Sequence, residues 1–260
     1  VPFFAYVAIF MLLPTGIVIW DAIRSPSGGL ALSNVKLLTS PVVRTYFTGT
    51  LELAAISSVV GAALGAILAY AIASGNPNGI VRRWSLAGSG VLSQVGGVTL
   101  AFAFLAAVGP TSGVLVHLSW YYTFPQGISL IYIYFQIPLM VLVFLPAIDG
   151  LKAQWREATE NLGGSTWQYW RHVGGPLLAP AFIGATLLLF ANSLAAYATI
   201  QAWENQISYT VPQEIYTAIN SEVGLASNAG DILALGMVIM VAIVMTLYVL
   251  LQRRAARWLR

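Results

Sequence analysis

Ionisable side chains are scarce in this chain, so those present narrow its chemistry quickly. Its 260 residues include two histidines, no cysteine, nine Asp or Glu and twelve Lys or Arg. His117 and His172 stand far apart, with no acidic or histidine neighbour at ligand spacing, which argues against a metal site and against His-centred acid–base catalysis. The lack of cysteine removes thiol nucleophiles, disulfides, iron–sulfur clusters and cysteine-held zinc. No pair of catalytic groups occurs at membrane depth, which disfavours an intramembrane enzyme. Glu52 is the one acid well inside an apolar stretch, where an ionised group is costly enough to be a functional suspect. It is either part of a solute pathway or a structural feature that snorkels to the boundary or pairs with Arg44. Gln94, Gln136, Asn192 and Gln201 are neutral polar groups in or at the end of similar stretches, and they suit pathway lining or interhelical hydrogen bonds. A proton relay of the Asp/Glu/His kind is missing, so a stand-alone secondary transporter is the weaker alternative.

The elements that must position these groups are membrane spans. Only 8% of the residues are charged and 58% are hydrophobic, against about 25% charged in an ordinary soluble domain. With a net charge of only +3, the basic character gives no reason to expect a nucleic-acid partner. A helix needs about 20 apolar residues to cross a bilayer, and the uncharged stretches supply six such spans: about 2–23, 47–74, 85–108, 128–149, 179–203 and 230–252. The first reads as a retained span rather than a signal peptide, because no basic segment precedes it and Pro14 interrupts it. Arg82, Arg83, Lys152, Arg156, Arg171, Arg253, Arg254, Arg257 and Arg260 fall on one side, and Arg24, Lys36 and Arg44 on the other. The positive-inside rule then predicts both termini and the 150–178 loop to be cytoplasmic. In the second span Ser57, Gly61, Gly65, Ala69 and Ala73 recur four apart, the pattern that lets helix backbones approach closely in lipid, within one subunit or between two. Pro14, Pro138 and Pro146 predict kinks, and Gly88, Gly90, Gly96 and Gly97 make the third span pliable.

The 150–178 loop is the most distinctive segment. Trp155, Ala158, Thr159 and Leu162 share one face of a short helix that Gly163-Gly164 would end. Ser165 with Gln168 three residues on is a capping-box pattern, opening a second helix through Trp167, Trp170 and Val173 that Gly174-Gly175-Pro176 would stop. Three tryptophans in a loop facing water suggest a partner surface, with a hairpin lying on lipid headgroups as the other reading.

These residues resemble the EAA loop of the permease subunits of bacterial binding-protein-dependent ABC importers. Its usual form is Glu-Ala-Ala, three residues to Gly, then Ala-Ser, an aromatic, Val or Ile, and Leu-Pro with a second Pro four later. Glu157, Ala158, Gly163, Ser165, Trp170, Val173, Pro176 and Pro180 stand at matching offsets. Thr159, Gly164 and Gly175 depart from it, where Ala, Ala and Leu are commonest. With Gly49-Thr50-Leu51 leading into the small-residue helix, the likeness covers roughly residues 45–250 of what reads as a single transmembrane domain. The resemblance implies an all-α, six-span type I importer permease in the bacterial inner membrane, working with a second permease, either an identical copy or, as the solute-group likeness favours, a different chain, an ATP-binding-cassette ATPase dimer and a periplasmic or lipid-anchored substrate-binding protein. It further implies that Glu157, Ala158, Gly163, Ser165, Trp170, Val173 and Pro176 couple the chain to the ATPase. No Walker-type glycine loop occurs, so ATP and Mg belong to that partner and this chain is not itself an enzyme.

For the solute, Gly97 to Gly109 and Tyr134-Phe135-Gln136-Ile137-Pro138-Leu139-Met140 are similar to permeases grouped with spermidine/putrescine, ferric-iron and aminoethylphosphonate importers. That likeness implies a small polar solute such as a polyamine. Sugar importers are the main alternative, with sulfate, molybdate and thiamine systems behind them. Glu204, Glu214, Glu222 and Asp231 are expected to meet a basic face of the binding protein.

Overall fold

The computed structural model describes residues 2–24, 32–95, 97–109, 114–115, 120–121, 123–203, 210–220 and 229–257, and among these the secondary structure is helical throughout. Among the described residues five helical runs are long and apolar enough to cross a membrane: Phe3–Ile23, Pro41–Ala73, Gln126–Asp149, Thr166–Ala195 and Ala229–Leu250. A sixth span exists only as a bent pair, Ile80–Leu92 and Gly97–Val108, which meet at 105°. This corrects the single helix expected over 85–108. The chain turns where Gly97 takes φ +67°, a left-handed conformation that glycine adopts without the steric cost of a Cβ.

The elements, in chain order, are α1 (Pro2–Val7), a π turn (Ala8–Leu12), α2 (Leu13–Ile23), α3 (Pro41–Ala73), α4 (Ile80–Leu92), α5 (Gly97–Val108), α6 (Gln126–Asp149), α7 (Ala153–Asn161), α8 (Thr166–Tyr169), a second π turn (Trp170–Gly174), α9 (Gly175–Ala195), α10 (Tyr197–Trp203), α11 (Val211–Asn220) and α12 (Ala229–Arg257), with a 3-10 stretch at Leu32–Thr39. Both π turns end two residues before a proline, Pro14 in one case and Pro176 in the other. The cause is steric. A proline ring meets the carbonyl four residues back, here Phe10 or His172, and a widened turn makes room without ending the helix. The stop expected at Gly174-Gly175-Pro176 therefore does not occur, and the helix runs on into the fifth span. Gly175 is needed there, since a Cβ would lie 2.5 Å from the Trp170 carbonyl oxygen. That span is broken instead at Ala196, so the helix expected over 179–203 is two, α9 and α10.

Contacts divide the chain into two compact units, residues 1–52 with 207–243, and residues 53–206 with 244–260. In the first, Val43, Val211 and Leu233 are buried together, and Ala22, Ile232 and Leu235 form a neighbouring cluster. Thr50 Oγ1 accepts the Val211 amide at 2.9 Å, which satisfies one of the unpaired donors at the start of α11.

In the second, one core gathers Ala62, Ala69, Met140, Val141, Leu145 and Leu189. Another joins Leu53, Leu100, Ile131, Tyr132, Phe135 and Ile200. In lipid no hydrophobic force drives such helices together, so fit decides. The stripe of small residues supplies it: Gly61 lies against Gln136, where a Cβ would come within 2.8 Å, and Gly65 against Met140 and the Ile137 carbonyl. Of the two readings of that stripe, packing within one chain is what these contacts show for Gly61 and Gly65.

Candidate functional site

The 150–178 loop folds as two helices around a tight elbow. α7 ends in a Schellman motif: the Gly163 amide donates to Glu160 O at 2.9 Å and the Gly164 amide to Thr159 O at 2.9 Å. Gly163 sits at φ +74°, the left-handed position such a cap requires. Ser165 then opens α8 with a full capping box. Its hydroxyl accepts the Gln168 amide at 3.3 Å, and its own amide donates to Gln168 Oε1 at 2.7 Å. Sequence spacing anticipated both devices, and the backbone forms them.

The elbow presents Glu157, Ala158, Gly163, Ser165 and Trp167 to solvent, with Trp167 71% exposed and Leu162 89%. Arg156 donates to Glu160 at 2.9 Å one turn on, and that carboxylate holds the guanidinium above its ordinary pKa by hydrogen bond and charge. Pro176 is exposed and Val173 half-buried.

The three tryptophans do not form one exposed surface. Trp155 is half-buried, with Lys152 Nζ 6.0 Å from its ring centroid. Trp170 packs edge-to-face on Tyr70 at 5.4 Å and lies against the core of α3, α6 and α9. A tryptophan on a short helix that continues into a span has an apolar wall beside it, so Trp170 fastens the elbow to the bundle rather than facing outward. Missed in the sequence was the ion pair between Arg82 and Asp149, which links the start of α4 to the end of α6. Both residues flank spans, and that position was the available signal.

The membrane-depth polar residues separate. Gln136 is fully buried; its Nε2 donates to Ser57 Oγ at 3.2 Å and to Ser193 Oγ, and the two serine hydroxyls lie 3.1 Å apart. This cluster ties α3, α6 and α9 together. Ser57 and Ser193 were not singled out as its partners, although each stands at a small-residue position on a predicted span. Gln94, Asn192 and Glu52 are exposed in this chain. Among the described residues Glu52 makes no ion pair with Arg44, and its exposed side chain leaves both snorkelling and a pathway role open. Glu214 and Asp231 are half-exposed, while Glu204 and Glu222 lie outside the described residues. Tyr132 donates to the Ala196 carbonyl at the break between α9 and α10. Among the described residues no group of three or more His, Cys, Asp or Glu is placed to hold a metal.

Residues 61–260 match the family described as binding-protein-dependent transport system inner membrane component. A probable sulfate transport system permease of Anthoceros angustus is 23% identical over 208 residues, covering 75% of this chain and 67% of that protein. The sulfate transport system permease CysT of Escherichia coli K12 is 25% identical over 192 residues, covering 66% and 65%. The molybdenum transport system permease ModB of the same strain is 28% identical over 115 residues, covering 43% and 48%. The chain thus spans about two thirds of the length of these sulfate relatives and about half of that of the molybdenum one. Among solved structures, a chain of a bacterial ABC transporter involved in import of the acidic polysaccharide alginate is similar at TM-score 0.72 and 16% identity, over 99% of this chain and 93% of that one. A chain of the MetNI methionine ABC transporter is similar at TM-score 0.61 and 14% identity, over 82% and 95%. At these identities the likeness speaks for the fold, an all-α polytopic ABC importer permease fold. The family match takes in the small-residue half of α3, the Ser165-capped elbow and the Gln136 cluster's helices, and the chain belongs to the inner membrane components of binding-protein-dependent transport systems.

Proposed function

We propose that this chain is the permease subunit of an ABC importer, forming the solute path with a second permease and taking its drive from a separate ATP-binding-cassette pair through the elbow at residues 153–174. One observation carries the reading: a glycine-dependent Schellman cap and a capping box hold Glu157, Leu162 and Trp167 outward on a rigid corner, while Trp170 anchors that corner in the span core. Glu157 is the candidate contact for a basic group on the ATPase, and Gly163 makes the bend. Ala158, Ser165, Val173 and Pro176 shape the same corner. ATP and Mg belong to the partner. The distribution of Lys and Arg supports a cytoplasmic elbow and cytoplasmic termini.

For the solute, the names of the relatives favour a small oxyanion of the sulfate or molybdate kind over the polyamine expected from sequence likeness. A polyamine would draw on several acids along the path, where Glu52 is the one acid among the residues proposed for it and the buried polar cluster at Gln136 is neutral. The path residues proposed are Gln136 and, toward a second permease, Glu52, Gln94 and Asn192.

The test is uptake by the assembled importer with its binding protein, comparing sulfate, molybdate and spermidine. Glu157→Ala and Gly163→Pro are expected to leave the chain inserted and folded but to abolish ATP-driven uptake. Full uptake by both would sink the coupling assignment, and spermidine uptake alone would sink the oxyanion.

A further inference from the structure

Beneath the elbow two cavities share a wall made of Tyr70, Ile148 and Trp170. The outer one, about 460 Å³, is lined by Ser74, Asp149, Lys152, Arg156, Thr166 and Tyr169. The inner one, about 380 Å³, lies at span depth and is lined by Ala66, Ile67, Phe144 and Leu178, with Ile67 66% exposed. Polar and apolar halves are therefore stacked along one line that runs from the loop into the membrane.

The charges around the outer half do not cancel. Asp149 is taken by Arg82, and Arg156 shares Glu160. Lys152 makes no ion pair among the described residues, and its Nζ stands over the Trp155 ring at a distance from which it can swing. A group bound there would be anionic, and Thr166 and Tyr169 line the same cavity with hydroxyls that can donate to its oxygens, while the Ser74 hydroxyl is held by the Tyr70 carbonyl. A free anion would leave the apolar half empty, and an uncharged apolar molecule would leave Lys152 unanswered. We infer that this paired cavity binds one anionic phospholipid, its phosphate beside Lys152 and Arg156 and an acyl chain along Ile67, Phe144 and Leu178. The site shares Trp170 and the inner face of the elbow with the coupling region proposed above, but not the outward Glu157, Leu162 and Trp167, and its test needs neither the ATPase nor the solute.

The full chain, purified in mild detergent, would be titrated with dioleoyl-phosphatidylglycerol or dioleoyl-phosphatidylcholine and the retained lipid counted by native mass spectrometry. Phosphatidylglycerol should be retained over phosphatidylcholine, and Lys152→Gln should weaken its retention about fivefold, the effect expected of one basic residue near an anionic lipid. Lys152→Arg should restore it. Ile67→Trp, which fills the apolar half without touching a charge, should lower retention of phosphatidylglycerol while Lys152 is intact. Equal retention of the two lipids, or no change in Lys152→Gln, would overturn the inference. Displacement of the lipid by millimolar inorganic phosphate would also overturn it, because the site would then hold an anion and not a lipid. Unchanged thermal unfolding of each variant separates loss of the site from loss of the fold.

Discussion

Alanine in place of Gly65 tests whether close approach of α3 and α6 holds the second unit together. Its Cβ would fall 2.5 Å from Met140 Cβ and 2.8 Å from the Ile137 carbonyl oxygen, where ordinary contact begins at 3.4 Å. Neither obstacle can rotate away, because one is fixed to the backbone and the other is backbone. The helices would have to part by as much as 0.9 Å, the difference between 3.4 and 2.5 Å. Overpacking of this kind costs about 1–3 kcal/mol. The same movement loosens the Gln136 to Ser57 bond, already 3.2 Å long. Thermal unfolding of the purified chain in mild detergent should show a midpoint lowered by roughly 2–12 °C, at about 2–4 °C per kcal/mol for a chain of this size. Gly88→Ala is the control, since a Cβ there meets nothing within 4 Å, and it should leave the midpoint unchanged or slightly raised. If Gly65→Ala melted with the parent, or Gly88→Ala fell as far, close packing at this crossing would not be what stabilises the unit.

Two further outcomes concern the elbow. Ser165→Ala removes the acceptor for the Gln168 amide and should weaken the start of α8 by about 1 kcal/mol, read as faster hydrogen exchange at Gln168; unchanged exchange would mean the cap contributes nothing. Gly164→Ala should destabilise the elbow because its Cβ would lie 2.7 Å from Thr159 Cγ2, and adding Thr159→Ala should recover about 0.5 kcal/mol or more; strict additivity in the unfolding of the two single variants and the double would refute the pairing.

That pairing explains two departures from the usual EAA pattern at once. Thr159 and Gly164 each replace a common alanine, and the threonine methyl, together with the Thr159 carbonyl oxygen, occupies the space a Cβ on residue 164 would use. The elbow itself was legible in the sequence because caps are local: Gly163, Ser165 and Gln168 act within a few residues of one another. Five of the six expected spans were legible as single helical runs for a similar reason, since charge-free length alone decides whether a segment can cross, and the third is the bent pair. What stayed hidden depends on which side of a span faces what. In a soluble helix the polar face marks the exterior, but here lipid-facing and core-facing residues are equally apolar. Trp170 therefore read like Trp167, though one lies against the α3–α6–α9 core and the other is exposed. Ser57, Gln136 and Ser193 meet from three separate spans, and no spacing along the chain announces that meeting. The turn before Gly97 was foreshadowed as pliability only, because glycine permits a left-handed backbone without demanding it.

The uninterrupted run from Thr166 through the second π turn to Ala195 has a mechanical consequence. Thirty residues of helix make a rod about 45 Å long, and its outer end carries the corner that Trp167 exposes. A rod of that length turns a tilt of about 5° at one end into a displacement of about 4 Å at the other. A flexible joint at Pro176 would have absorbed such a tilt locally. With the widened turn keeping the helix whole, the proposed coupling at the elbow would act through a lever, and Ser193 near its far end, hydrogen-bonded to Gln136, is where a push would be delivered.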